Sequence, residues 1–526
     1  MLVRDGEGFN MIERSPRTPC KRDGSGPRIV AVRRRRRSIR ALFAALTLGA
    51  TSVAAAPADF GAVDAYVAAQ RAAQRIPGVA LALVAPDGTI HLGGFGTTDT
   101  GDAASTSPTM VTAQTPFIIG STSKSFTALA VMQLVEAGRV ELDAPAQRYL
   151  PWFRVADEHA SAQITVRDLL NQTSGLSTAS GRRTLMEYSS GDDALTNRVR
   201  GLRDVALTAP VGGTYQYSNC NYQVLGAIVE AVSGETFEAY MQTHVFDPLQ
   251  MTHTYTSKTA AAANGLAMGH RSLFGRPLAY DETLPRGSIP SGFIISTAND
   301  MSHYLSAQLN GGRWRDASVL SPVGIAELHR GAARVNDDVL YAMGWNVGSV
   351  DGMPAVWHGG DTFGYQSFMV LLTDARWGAV MLANMNDIPS NPRFAEIVEG
   401  ALDIAIGRPP KQEHVHDAAT FHAIVFATIA LQILGMLRSV LLFARWRRDP
   451  ARRPRGAPAV FLRLILPCLT NALWGAAILA GIPIAFGPLP VVTLGMPGPG
   501  HLLLLSGAVA LGWSAVRAAL AWKIRS

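Results

Sequence analysis

The segment FIIGSTSKSF occupies residues 117–126 and continues as an apolar stretch that stops at Gly138. The pattern predicts an amphipathic helix with Ser121 at its N-terminus and Lys124 one turn further on. Residues three apart share one face of a helix, so we expect the hydroxyl and the amine to lie side by side. A serine becomes a nucleophile when a nearby base takes its proton, and lysine can act as that base whereas arginine cannot.

The scarcity of lysine gives this pair more weight. The chain uses arginine almost throughout, and its five lysines are Lys21, Lys124, Lys258, Lys411 and Lys523. Alone the Ser-x-x-Lys pattern is a weak signal, because ordinary serine frequencies produce chance matches. Its interpretation therefore depends on the segments that follow it.

A second segment, YSN at residues 217–219, carries polar side chains that can serve the same reaction. If the segment is extended, Tyr217 and Asn219 project to the same side. A tyrosine beside a lysine can relay a proton, and an asparagine can orient the amide of a substrate. Core packing of Tyr217 and a turn or cap role for Asn219 are the simpler alternatives for these residues taken alone.

A third segment, WHGGDT at residues 357–362, ends a predicted strand. Its glycines, Gly359 and Gly360, allow a substrate backbone to lie against the edge of the strand. The backbone N–H of Asp361 can then join that of Ser121 as an oxyanion hole.

The order Ser-x-x-Lys, Tyr-x-Asn, His-Gly-Gly resembles the serine β-lactamase-like hydrolases of the class C and penicillin-binding type, over residues 59–406. Further matching stretches are ITVRDLLNQTSGL at 164–176, FDPLQM at 246–251 and STANDM at 296–301. The resemblance implies that Ser121 is the acylated nucleophile and that Lys124 and Tyr217 are the acid/base pair. The implied substrate-binding residues are Asn219, His358, Gly359 and Gly360. No cofactor and no metal ion is expected.

The same resemblance implies an α+β fold, and the hydrophobic pattern agrees with it. We expect an antiparallel sheet flanked by N- and C-terminal helices, with a mainly helical insertion. The predicted terminal helices are 59–75 and 392–406, the predicted strands are 79–84, 89–92, 343–347, 355–358, 367–372 and 379–383, and the mainly helical region is 121–335.

One departure from the resemblance concerns His358. Class C β-lactamases, which this segment resembles, carry the motif Lys-Thr-Gly at this position. The lysine of that motif presents a positive charge to the carboxylate of a β-lactam. A histidine with an ordinary pKa near 6.5 is mostly neutral at pH 7, so carboxylate recognition should be weaker by one or more decades. We therefore expect hydrolysis of esters or D-amino-acid peptide bonds rather than efficient β-lactam turnover.

Charge is distributed unevenly along the 526 residues. The formal net charge of +7 divides into +8 for residues 1–40, −10 for 41–410 and +9 for 411–526. An acidic body between basic ends excludes a nucleic-acid binder, because the positive field would have to come from the surface of the body.

The basic ends are explained by membrane targeting. A run of five arginines at 33–37 precedes the apolar stretch 41–53 and a small-residue site, which is the layout of a secretory signal. Residues 418–437 and 464–516 contain no Asp, Glu, Lys or Arg, which is enough for three membrane spans. We place these at about 418–440, 464–484 and 501–521, with a loop-like segment at 481–500.

The arginines between the first two spans should lie in the cytoplasm. The chain then divides into an extension and signal at 1–55, an extracytoplasmic hydrolase domain at 57–410 and a membrane region at 411–526. This arrangement predicts a multi-pass protein of the inner membrane whose catalytic domain lies on the periplasmic side.

The expected function is that of a membrane-anchored serine hydrolase. Its partners would be a small-molecule, ester or peptide substrate, including one derived from the cell wall, and the lipid bilayer. One alternative is a non-catalytic membrane receptor for cell-wall fragments or β-lactams. Another is a true class C β-lactamase or a D-alanyl-D-alanine carboxypeptidase. His414 and His416 have a spacing that allows metal binding but lack companions, and Cys220 is expected to be a packed side chain.

Overall fold

The computed structural model describes residues 58–99, 109–388, 391–411 and 418–525. The predicted signal segment, His414 and His416 therefore lie outside the described residues. The strands are β1 Gly78–Val84, β2 Ile90–Gly96, β3 Phe117–Ile118, β4 Gly269–Leu273, β5 Arg276–Tyr280, β6 Ile295–Ser296, β7 Arg313–Trp314, β8 Ala317–Ser318, β9 Ala333–Arg334, β10 Leu340–Tyr341, β11 Asn346–Val350, β12 Met353–Asp361, β13 Gln366–Leu372, β14 Trp377–Ala383 and β15 Met385–Asn386.

The helices divide between the body of the protein and its C-terminal region. Those of the body are α1 Phe60–Ala73, α2 Ser123–Glu136, α3 Glu158–Gln163, α4 Val166–Leu170, α5 Thr178–Arg183, α6 Ala194–Arg200, α7 Asn219–Ser233, α8 Phe237–Met241, α9 Lys258–Ala263, α10 Ile289–Gly292, α11 Ala298–Leu309, α12 Pro322–Leu328 and α13 Asn391–Ala405. Those of the C-terminal region are α14 Ala418–Arg448, α15 Ala457–Val460, α16 Leu466–Ala476, α17 Ile482–Phe486, α18 Leu489–Gly495 and α19 Pro499–Arg525.

Eight strands form one antiparallel sheet in the order β2-β1-β14-β13-β12-β11-β10-β9. Strand β1 joins the two ends of the body, because it pairs with β2 on one side and with β14 on the other, where Val79 lies opposite Ala383 and Val84 opposite Gly378. All seven residues of β1 are buried. A continuous apolar run such as GVALALV is typical of a strand that is covered on both faces.

Alternate side chains of β1 enter two different cores, as the two-residue period of a strand requires. Leu81 and Leu83 pack with the terminal helices α1 and α13, whereas Ala80 and Ala82 pack with α2, α7 and α11 of the helical region. The expected α+β fold, with terminal helices on an antiparallel sheet and a mainly helical insertion, is confirmed.

Three helical stretches in the described part of the chain are long and apolar enough to cross a bilayer: Ala418–Arg448, Ala457–Ile484 and Pro499–Lys523. Large apolar side chains project outward from them, including Leu431 at 69% and Leu473 at 69% exposure. Continuous apolar surface of this kind is stable against lipid tails and not against water.

The three stretches pack through small and polar residues. Ser506 accepts hydrogen bonds from Trp474 Nε1 at its Oγ and from Gln432 Nε2 at its carbonyl, both at 2.9 Å. A β-carbon on Gly475 would lie 2.4 Å from Leu511 Cγ, so the second and third stretches approach closely at this glycine.

Two local predictions were wrong. The segment 481–500 was expected to be a loop, but it contains α17, which continues the helical stretch from Ala457, and α18. Pro490 lies in the first turn of α18, where a missing N–H costs nothing. The strand expected at 343–347 begins at Asn346, because Trp345 is buried against Tyr304 and the chain turns at Gly344, which has φ +82°. The domain boundaries stay predictions.

Candidate active site

Ser121 lies in a 3₁₀ turn, Gly120–Thr122, which leads directly into α2. Gly120 has φ +55°, a conformation that favours glycine. A β-carbon at this position would lie 2.5 Å from the backbone nitrogen of Asp361, so the end of β12 approaches the turn more closely than a side chain permits. Ser121 itself is half-buried.

Lys124 is completely buried in the first turn of α2. Its Nζ donates hydrogen bonds to Ser121 Oγ at 3.0 Å, Asn219 Oδ1 at 2.8 Å and the Ser291 carbonyl at 2.6 Å. An ammonium group has three protons to donate, and three neutral oxygens accept them. The expected contact between Ser121 and Lys124 is therefore present.

Tyr217 and Asn219 flank Lys124 from the start of α7. The Lys124 Nζ lies 4.6 Å from the centroid of the Tyr217 ring, within the range of a cation–π contact. Ser218 between them has an extended backbone, with φ −143° and ψ 128°. The structure thus brings Ser121, Lys124, Tyr217 and Asn219 into one cluster, although their catalytic roles stay predictions.

Strand β12 forms the opposite wall of the cluster. A β-carbon on Gly360 would lie 2.1 Å from the Ile119 carbonyl oxygen, which also accepts a hydrogen bond from Ser367 Oγ at 2.7 Å. Gly359 is half-buried and Asp361 is exposed. Glycine at 120 and at 360 therefore allows the backbones of Ser121 and Asp361 to lie together, which is the arrangement that the predicted oxyanion hole requires.

Comparison with known proteins agrees with this geometry. The family model described as Beta-lactamase matches residues 63–400. The chain belongs to the beta-lactamase family. It is 31% identical over 325 residues to penicillin-binding protein 4 of Amycolatopsis lactamdurans, covering 60% of this chain and 83% of that protein.

Two further similarities concern a longer relative and a solved structure. The chain is 28% identical over 319 residues to Protein flp of Staphylococcus aureus (strain MW2), covering 59% of this chain and only 60% of that protein. The solved structure is the octameric penicillin-binding protein homologue from Pyrococcus abyssi, with a TM-score of 0.58, 23% identity, and coverage of 70% of this chain and 82% of that one. The latter similarity supports the fold.

His358, the residue at which this member of the beta-lactamase family departs from Lys-Thr-Gly, is buried with 4% exposure. Its Nδ1 lies 2.6 Å from the Gly359 carbonyl and its Nε2 lies 3.3 Å from Tyr341 Oη. Burial, and after it the positive charge of Lys124, lowers the pKa of His358 to about 3. The expectation of an ordinary pKa near 6.5 was wrong, because the sequence does not reveal how completely the ring is desolvated.

Gln172 positions the Tyr217 segment, a role that the sequence did not reveal. It has φ +62°, and its Oε1 accepts hydrogen bonds from the Ser218 backbone nitrogen at 2.9 Å and from Asn221 Nδ2. Its carbonyl accepts the Gln216 N–H at 2.9 Å. Gln172 lies within a stretch that supported the family resemblance, but nothing in its local pattern indicates a contact more than 40 residues away.

Glu282 holds the turn that follows Asp361. Its buried carboxyl group accepts hydrogen bonds from Thr362 Oγ1 at 2.6 Å, Phe363 N at 3.0 Å and Gly364 N at 2.9 Å. Burial raises the pKa of Glu282 above its usual range. A lone glutamate in a polar segment gives no signal of this role in the sequence.

Cys220 follows Asn219 in the first turn of α7. Its side chain is fully buried, and this burial raises the pKa of the thiol to about 11. A thiol of that pKa stays protonated at neutral pH, as expected for a packed side chain.

We predict that Gly120→Ala slows acylation of Ser121 by about a hundredfold or more, because the new methyl group displaces Asp361 and with it one oxyanion donor. The measurement is the rate of covalent labelling by a fluorophosphonate in the purified full-length protein. Gly138→Ala is the matched control: Gly138 also has a positive φ, +68°, but a β-carbon there meets no atom within 4 Å. If Gly120→Ala is labelled at the same rate as the wild type, the proposed role of the Asp361 N–H as an oxyanion donor is contradicted.

We also predict that His358→Gln makes the protein less sensitive to acid. The pKa of His358 is about 6.5 when unfolded and about 3 when folded, so its contribution to stability is complete above pH 6.5 and is lost as the pH falls toward 3. The apparent melting temperature of the wild type should therefore fall more between pH 7 and pH 4.5 than that of the variant. Replacement of the exposed His159 by Gln serves as the control. If the apparent melting temperatures of the wild type and His358→Gln fall equally, the proposed desolvation of His358 is refuted.

Proposed function

We propose that the protein is a membrane-anchored, extracytoplasmic serine hydrolase that cleaves ester or D-amino-acid amide bonds through an acyl-enzyme on Ser121. The observation that carries this proposal is the contact between the half-buried Ser121 hydroxyl and the buried Lys124 amine, 3.0 Å apart, beside the backbone of Asp361. Membership of the beta-lactamase family, whose members are typically serine hydrolases, supports it.

In the proposed reaction, Lys124 first releases one of its three ammonium protons to solvent, so that the neutral amine can act as the base. Ser121 Oγ then attacks the carbonyl carbon of the substrate as its proton passes to Lys124 Nζ. The Ser121 and Asp361 N–H groups stabilise the oxyanion. Lys124 and Tyr217 return the proton to the leaving group as its bond to the carbonyl breaks. Water then hydrolyses the acyl-enzyme, which releases the acid and restores the Ser121 hydroxyl.

The state of His358 supports an ester or peptide substrate over a β-lactam. At pH 7 the ring is neutral, since its pKa of about 3 lies far below. A neutral, buried ring offers no fixed positive charge to a carboxylate, and a charge-assisted bond is roughly twice as strong as a neutral one. The proposed turnover of β-lactams is weak.

The proposed side of the membrane follows from charge. The last turn of α14 contains Arg445, Arg447 and Arg448, and Arg452 and Arg453 follow before the second candidate stretch begins. Basic residues of this kind remain in the cytoplasm. The body connects to the opposite end of α14, which begins at Ala418. The catalytic cluster is therefore proposed to lie on the periplasmic side of the inner membrane.

The test compares three substrates with the full-length protein in detergent: a chromogenic β-lactam, a short-chain p-nitrophenyl ester and a D-alanyl peptide. We expect hydrolysis of the ester or the peptide to exceed that of the β-lactam by at least about tenfold. Ser121→Ala should reduce this hydrolysis by about a thousandfold or more. Ser125→Ala, one turn further along α2, is the matched control and should retain activity.

The proposed function is overturned by a complete absence of hydrolysis and labelling. If the wild type hydrolyses none of the three substrates and a fluorophosphonate never labels it, the protein is not a serine hydrolase. Binding of a cell-wall peptide that persists in Ser121→Ala would then indicate a receptor.

A further inference from the structure

Residues 487–498, which we call the outer loop, join the second and third candidate membrane helices. The outer loop contains α18 and carries no Asp, Glu, Lys or Arg. It lies at the same end of the helical bundle as the start of α14, because Phe274 packs against His422 and Phe426 in α14 and against Gly498 in the outer loop. The outer loop therefore faces the body of the protein.

One end of the outer loop packs against the wall of the active site that carries Asn219. A β-carbon on Gly487 would lie 3.1 Å from Arg182 Cβ in α5. Helix α5 in turn packs on the Tyr-x-Asn segment, since a β-carbon on Gly181 would lie 2.5 Å from the Asn219 backbone nitrogen. Helix α5 therefore lies between the start of the outer loop and Asn219, a predicted substrate-binding residue.

The other end of the outer loop packs against the hairpin formed by β4 and β5. A β-carbon on Gly498 would lie 2.5 Å from Phe274 Cε2 and 2.9 Å from Leu273 Cδ1, at the tip of the hairpin. The base of the hairpin lies beside the turn after Asp361, where the His270 N–H donates to the Gly364 carbonyl at 3.0 Å. The outer loop thus contacts α5, which packs on the Asn219 wall, and the tip of the hairpin, whose base lies beside the Asp361 wall.

The hairpin tip also contacts the first turns of α14. The Phe274 ring lies 5.4 Å from the His422 ring and 5.3 Å from the Phe426 ring, measured between centroids. Leu273 and Leu278 of the same hairpin are 38% and 42% exposed. Aromatic and aliphatic side chains at the end of a membrane helix are typical of residues that lie at the lipid surface.

We propose that the active-site cleft opens onto the outer surface of the membrane and that the substrate is a lipid-anchored ester or amide. This inference rests on the proposed function and specifies the class of its substrate. The polar bond enters between the Asn219 wall and the Asp361 wall, while the acyl tail stays in the bilayer next to the outer loop. A long acyl chain partitions strongly into the bilayer, so the cleft must meet such a substrate at the membrane.

The reaction balances without a further reactant. The carbonyl of the lipid-anchored substrate acylates Ser121 with loss of an alcohol or amine, to which the Ser121 proton is transferred. Water cleaves the acyl-enzyme and yields a carboxylic acid. No redox change occurs.

The experiment uses the full-length protein reconstituted in phosphatidylcholine vesicles. The probes are p-nitrophenyl palmitate, which is dispersed in the vesicles, and p-nitrophenyl butyrate, which is dissolved in the water. We expect Phe274→Asp to lower kcat/KM for the palmitate ester by at least about tenfold and to change that for the butyrate ester by less than about twofold. Val323→Asp, a charge introduced at a side chain that is 79% exposed on α12, is the matched control and should change neither value.

The fluorophosphonate labelling rate of Phe274→Asp reports whether its catalytic cluster remains intact. Normal labelling with a selective loss on the palmitate ester supports the proposal. The proposal is overturned if the wild type has equal kcat/KM for the two esters, or if Phe274→Asp labels normally but loses activity equally on both. Either outcome leaves the proposed hydrolase function intact. Absence of labelling and of hydrolysis in the wild type instead removes the proposed function itself.

Discussion

The site depends on the hydrogen bonds of one buried group, the Lys124 amine. It bonds Ser121 in the turn before α2, Asn219 at the start of α7 and the Ser291 carbonyl in α10, so one group joins three separate parts of the helical region. Burial of an amine is costly unless each of its protons finds an acceptor. The positions of α2, α7 and α10 are therefore constrained by a single side chain, which is also the one that can activate the nucleophile.

The other side of the site is formed by the close approach of two backbone segments, the end of β12 and the turn that carries Ser121. Glycine at 120 and at 360 allows β12 to lie directly against the Ser121 turn, and Glu282 holds the turn that follows Asp361. The cluster of Ser121, Lys124, Tyr217 and Asn219 thus lies between the helical region and the sheet. Strand β1 pairs with β14 within that sheet, so the two ends of the body together form the surface on which the cluster is assembled.

The sequence predicted those features that depend on local pattern. The three-residue spacing of Ser121 and Lys124, the apolar run of β1 and the charge-free stretches each follow from a short-range spacing or composition. Features that depend on tertiary contacts were not predictable in this way. The Ser291 carbonyl is a backbone acceptor, Gln172 acts through a left-handed conformation, and the pKa of His358 follows from desolvation that only the folded chain creates.

The most direct test of the central claim is to locate the covalent intermediate. The full-length protein is incubated briefly with a p-nitrophenyl ester, quenched in acid, digested and analysed by mass spectrometry. The account predicts an acyl adduct on Ser121 in the wild type and at least about a hundredfold less in Lys124→Arg, because a guanidinium group stays protonated and cannot take the serine proton. An adduct on another residue, or equal acylation of Lys124→Arg, would contradict it.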